Sequence, residues 1–164
     1  MLNITNAVTA SRILLTPLLY IFAFTRNTAA FALMWVVIGA SDSLDGYLAR
    51  RLKQVSAFGS TLDTIADIFY FGSGWLIFVM FPSLRPFWWT FALVAILICV
   101  ESATRFLKGR ISLPHTNLSK LASFSVFLSI LYMTTIEPAP WLLGVMLVLL
   151  SASFMEKMSM LWWS

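Results

Sequence analysis

At 164 residues, with 60% of them apolar, 11% charged and a mean hydropathy of +0.87, the chain is too hydrophobic for a soluble globular domain. Roughly six spans of about 20 residues would use up its length and exclude a sizeable soluble domain. The net charge of +4 sits at the edges of apolar runs, which points to anionic lipid and phosphate groups as partners and away from nucleic acid.

In chain order, MLNITNAVTASRILLTPLLYIFAF carries an apolar segment without an early basic cluster or a small-residue cleavage site, so a retained first helix is expected. Residues 2–9 are expected to form a short interfacial helix leading into a span near 10–25. Further spans are expected near 28–49, 58–80, 87–107, 117–135 and 141–160, separated by RNT, the loop 50–57, FPSLRP, KGRISLPHTN and TIEPAP. Thr116, Asn117 and Ser119 suit the start of the fifth span as caps. Cys99 lies alone inside an apolar run, so neither a disulfide framework nor a cysteine metal site is available. The expected fold class is all-α: a polytopic membrane protein of about six transmembrane helices, in one domain over 1–164.

Orientation follows from the basic residues. Arg12, Arg50, Arg51, Lys53, Arg105, Lys108, Arg110, Lys120 and Lys157 fall on one side, against Arg26 and Arg85 on the other. Both termini and the aspartates are therefore expected on the cytoplasmic side, and the short length without a transit peptide suggests a prokaryotic plasma membrane. Phe87, Trp88, Trp89 and Trp141 suit one headgroup boundary, and Trp162 and Trp163 the other.

The four aspartates of the sequence are Asp42, Asp45, Asp63 and Asp67. Spacings of three and four place each pair on one helix face, at the end of the second span and the start of the third. Four carboxylates converging at a membrane edge would repel one another unless cations neutralised them. Oxygen ligands without His or Cys favour Mg2+, Mn2+ or Ca2+, and four suffice for two ions. Such a two-metal site suits phosphoryl displacement. Gly46, Ala49 and Gly59 permit close backbone approach, and Arg50 supplies a planar fork for phosphate.

The pattern Asp42-x2-Asp45-Gly46-x2-Ala49-Arg50-x8-Gly59-x3-Asp63-x3-Asp67 resembles the signature of the CDP-alcohol phosphotransferase (CDP-alcohol phosphatidyltransferase) family at all eight fixed positions. The resemblance implies transfer of a phosphoryl-alcohol unit, commonly from CDP-diacylglycerol, to a second alcohol with release of CMP. It implies that the four aspartates bind Mg2+ or Mn2+ and that Asp67 is also the general base. Gly46, Ala49 and Gly59 would bind the cytidine nucleotide and Arg50 the phosphates. Homodimers are common among such proteins, and Gly72, Ser73 and Gly74 could support helix association.

The acceptor is ambiguous at this level. Asn6-Ala-Val-Thr9-Ala-Ser-Arg12, followed by Pro17, resembles the opening of phosphatidylglycerophosphate synthases. Leu62-Asp63-Thr-Ile-Ala-Asp67-Ile-Phe-Tyr-Phe71-Gly72 is more similar to phosphatidylserine synthases, with Ile68 where the former usually carry lysine. Arg105, Lys108, Arg110 and Lys120 could bind an acceptor phosphate, which favours glycerol 3-phosphate first and inositol phosphate second, with serine open. The positive-inside bias alone also explains these four cations. Glu101, one turn before Arg105, is expected to pair with it. His115 is expected to be solvated or capping, and Glu137 and Glu156 solvated.

Three other readings compete, one of them a catalytically silent family member serving as a lipid-binding or assembly protein, which the four intact acids disfavour. Helix capping or ion pairing with Arg50, Arg51 and Lys53 explains one or two acids but not four at fixed spacing. A cation transporter or channel would favour acids near the bilayer midplane, whereas these gather at one face.

Overall fold

The computed structural model describes the backbone of residues 4–51, 57–108 and 116–162, and the side chains there except at 4–7, 43, 45–50, 57, 58, 60, 61, 63, 64, 105 and 106. The described residues are helical segments and their connections: α1 (Ile4–Phe24), α2 (Thr28–Arg51), α3 (Ala57–Gly72), α4 (Ile77–Met80), α5 (Trp88–Leu107), α6 (Asn117–Thr135) and α7 (Pro140–Trp162). A 3-10 turn, Ser73–Leu76, joins α3 to α4 with right-handed helical dihedrals at Gly72 and Ile77, so 57–80 is one helical path. That path, with α1, α2, α5, α6 and α7, gives the six expected spans. The protein is an all-α polytopic membrane protein.

Two expectations need adjustment. The separate interfacial helix at 2–9 is absent as such, because α1 runs unbroken from Ile4 to Phe24. FPSLRP is a second 3-10 segment, Pro82–Phe87, because Pro86 cannot donate a backbone bond but tolerates the tight turn.

The chain divides into two compact units, Met1–Pro82 with Thr134–Ile136, and Ser83–Met133 with Glu137–Ser164. In the first, α1 packs on α2 and α3. Thr9, Arg12, Thr16, Leu19 and Ala23, three or four residues apart, form the buried stripe of α1. Phe31, Trp35 and Ile38 do the same on α2. Trp35 stacks on Tyr70 of α3 at a centroid distance of 4.3 Å, and the Tyr70 hydroxyl donates to the Trp35 carbonyl at 2.9 Å. This contact fixes α3 against α2 two turns from the aspartate end.

The α1–α2 turn closes by backbone chemistry. Asn27 N–H donates to Phe22 O at 2.9 Å and Arg26 N–H to Ala23 O at 3.0 Å, the paired bonds of a Schellman motif. Arg26 occupies its left-handed position at φ 53°. Asn27 then caps α2, its Oδ1 accepting from Ala30 N–H at 3.1 Å.

In the second unit α5 packs on α7. Ser119, Ala122, Val126, Ser129, Ile130 and Met133 make the buried face of α6. Thr116 caps that helix, its Oγ1 accepting from Ser119 N–H at 3.0 Å. The apolar windows within Pro82–Thr104 and Pro140–Trp162 are only 11% buried, the inverse of a water-soluble core. Trp88, Trp141 and Trp162 are exposed near the ends of their helices, as headgroup anchors require.

Candidate active site

The site grows from a conflict in α1. Arg12 stands between Thr9 and Thr16 on the buried stripe and is 0% exposed, so its charge needs counter-charges inside the fold. α2 and α3 supply them. Arg12 Nη1 donates to Asp42 Oδ1 at 2.5 Å and to Asp67 Oδ1 at 3.4 Å. The first is a short charge-assisted bond and the second lies at the long end of the range, so Asp42 is the stronger partner. One carboxylate of each predicted pair, from two different helices, therefore meets at a single guanidinium.

The burial is one-sided. The side chains of Asp42 and Asp67 remain 44% and 43% exposed while Arg12 is enclosed. The guanidinium is enclosed by the protein, while each carboxylate keeps exposed surface that a cation can reach.

Asp45 has its backbone in α2 and Asp63 in α3, and their side chains lie outside the described residues. Gly46, Ala49 and Arg50 lie in α2, where the side chains of Ala49 and Arg50 are likewise outside the description, and Gly59 is half-buried in the first turn of α3. Among the described residues no group of three or more His, Cys, Asp or Glu gathers, since the described aspartates number two at this site. Lys53, Arg110 and His115 fall outside the described residues, as does the Arg105 side chain on α5.

Lys108 and Lys120 are described. Lys108, just past α5, donates from Nζ to the Leu161 carbonyl at 2.5 Å and lies 4.5 Å from the centroid of the Trp162 ring. It closes the C-terminal end of α7, satisfying a carbonyl left over by the helix. Lys120 is exposed in the first turn of α6. Glu101 pairs with Lys157 of α7 at 3.2 Å, a partner that local spacing along α5 could not reveal.

Arg12 is the residue beside these aspartates that the aspartate motif leaves out. Its position in the basic tally suggests a headgroup contact, but its burial and pairing make it part of the site. The signal was a lone cation between Thr9 and Thr16 at the start of an otherwise apolar span.

Residues 2–163 match the profile of the CDP-alcohol phosphatidyltransferase family, and the chain belongs to that family. A Pseudomonas fluorescens protein named CDP-diacylglycerol--glycerol-3-phosphate 3-phosphatidyltransferase is 42% identical over 69 residues, covering 40% of this chain and 35% of the relative. Relatives of the same name come from Aquifex aeolicus, 33% identical over 66 residues (40% of this chain, 37% of the relative), and Bacillus subtilis, 30% identical over 110 residues (58% and 56%). The chain thus spans between about a third and just over half of the length of these relatives.

Proposed function

We propose that the protein is a phospholipid-biosynthesis enzyme that transfers the phosphatidyl group of CDP-diacylglycerol to glycerol 3-phosphate and releases CMP. The observation that carries this reading is the meeting of Asp42 and Asp67 at Arg12, with over two-fifths of each aspartate side chain facing outward. The names of the relatives support glycerol 3-phosphate over the serine or inositol-phosphate alternatives. The reaction sits at the cytoplasmic face of the plasma membrane, where the donor's acyl chains stay in the bilayer and the acceptor arrives from water. The protein works there as a homodimer with both termini cytoplasmic.

The donor set fits hard divalent cations, since the two described carboxylates offer oxygen and keep exposed surface. Asp42, Asp45, Asp63 and Asp67 would hold two Mg2+ or Mn2+ ions, which when bound neutralise the diphosphate and polarise its phosphoryl oxygens. Asp67 accepts the proton of the acceptor hydroxyl as that oxygen bonds to the phosphorus bearing diacylglycerol. The bond from this phosphorus to the bridging oxygen breaks, and CMP leaves with the electron pair. Gly46, Ala49 and Gly59 take the nucleotide close to the backbone, and Arg50 holds its phosphates. Arg105, Arg110 and Lys120 bind the acceptor's own phosphate. Lys108, committed to the end of α7, contributes charge more than contact.

The test is CMP release by purified protein given CDP-diacylglycerol, Mn2+ and a panel of glycerol 3-phosphate, serine, inositol phosphate and inositol. Release with glycerol 3-phosphate, abolished by EDTA and restored by Mn2+, is expected. Release with serine alone would transfer the reading to the phosphatidylserine synthases that 62–72 resembles, and silence with every acceptor would reject an enzyme.

A further inference from the structure

The geometry points to Arg12 as a positioning residue that fixes the carboxylates of Asp42 and Asp67 for divalent cations, holding them without competing for the ions. This rests on the metal-dependent reading above. Arg12 lies thirty residues before the first aspartate, on a different helix, and nothing in the aspartate pattern requires it.

Three observations carry the inference. One nitrogen, Nη1, reaches an oxygen of each carboxylate, so a single rigid group ties α2 at Asp42 to α3 at Asp67. Arg12 is completely enclosed while both carboxylates are nearly half exposed, so an ion coming from solvent can reach the aspartates but not the guanidinium. Among the described residues, one guanidinium faces two carboxylates, a balance that is still negative, so attraction for a divalent ion survives the pairing. Ligating carboxylates are commonly held by such outer partners, whose loss disorders the ligand more than it changes the charge. Arginine suits the role because its guanidinium is planar, always charged and weakly hydrated, and so tolerates burial in an ion pair. A lysine at this position would present a compact, strongly hydrated point charge.

The competing role, a cation that occupies the metal's place, predicts the opposite sign. Removing a competing positive charge must tighten metal binding, whereas removing a positioning group must weaken it.

The experiment measures Mn2+ binding by electron paramagnetic resonance on purified wild-type, Arg12→Lys and Arg12→Gln protein without lipid substrate, with monodispersity and helical content checked. Both variants are expected to bind Mn2+ about 10- to 100-fold more weakly than wild type. Folded variants with unchanged or tighter binding would overturn the positioning role and leave the metal-dependent reading standing. Wild-type protein that binds no Mn2+ would remove both. Should the variants not fold, a structure of the wild-type protein with Mn2+ decides: Arg12 Nη1 still within hydrogen-bond reach of both aspartates supports the inference, and a guanidinium displaced by the ion refutes it.

Discussion

Asp42 and Asp67 are chemically alike but structurally unequal, because Arg12 sits 2.5 Å from one and 3.4 Å from the other. Replacing Asp42 with asparagine removes the nearer of the two described counter-charges of a wholly buried cation. Leaving such a charge poorly compensated costs several kcal/mol in a dry interior, and the 44% exposure of the Asp42 side chain reduces this to about 1–3 kcal/mol. Asp67→Asn should cost less, since its bond is long. Both variants should lose CMP release, so unfolding in detergent measured beside activity separates the two roles: equal destabilisation would contradict the asymmetry. The aspartates themselves were legible in the sequence, because four acids at helical spacing in an otherwise apolar chain have few structural explanations. Arg12 was not legible as a site residue. A basic residue near the start of an apolar run has the same appearance whether it meets a headgroup or a carboxylate 30 or 55 positions away, and only the packing of α1 against α2 and α3 distinguishes them.

The helices follow from apolar runs and breakers, and the six spans were readable for that reason; what lay beyond reach was the backbone detail at their ends. Hydropathy does not distinguish an α turn from the 3-10 turn at Ser73–Leu76, and its signal is weak over the first turns of α1, where Thr5, Asn6 and Thr9 are mixed with Ile4, Ala7 and Val8. The α1–α2 turn shows what such detail does. Its Schellman geometry requires a left-handed residue, and Arg26 at φ 53° fills the place that glycine usually takes. An L-residue there costs about 1–2 kcal/mol, while glycine loses roughly 0.5–1 kcal/mol more entropy on folding. Arg26→Gly should therefore stabilise the protein by up to about 1 kcal/mol, read as a higher denaturation temperature in detergent. No gain, or a loss, would mean that the exposed Arg26 side chain itself contributes, for example through headgroup phosphates.

At the scale of the whole molecule, the basic residues must be weighed again now that some are seen to be engaged inside the protein. Arg12 is paired with Asp42 and Asp67, and Lys157 with Glu101, so neither is a measure of loop charge. Without them, Arg50, Arg51, Lys53, Arg105, Lys108, Arg110 and Lys120 still oppose Arg26 and Arg85, and the orientation argument survives the subtraction. Six crossings return the chain to the side on which it began. The α1–α2 turn and the 3-10 segment Pro82–Phe87 should then face outward, and the first turn of α6 inward. Single cysteines at Thr25, Arg85 and Lys120, introduced with Cys99→Ser to remove the cysteine within α5, test this with a membrane-impermeant maleimide. All three positions are exposed, so reactivity reports the side of the membrane and not burial. In intact cells the first two should label and the third only after permeabilisation. The reverse pattern would invert the chain and carry the aspartates to the outer face, away from any nucleotide-activated lipid made in the cytoplasm; labelling of all three would break the count of crossings itself.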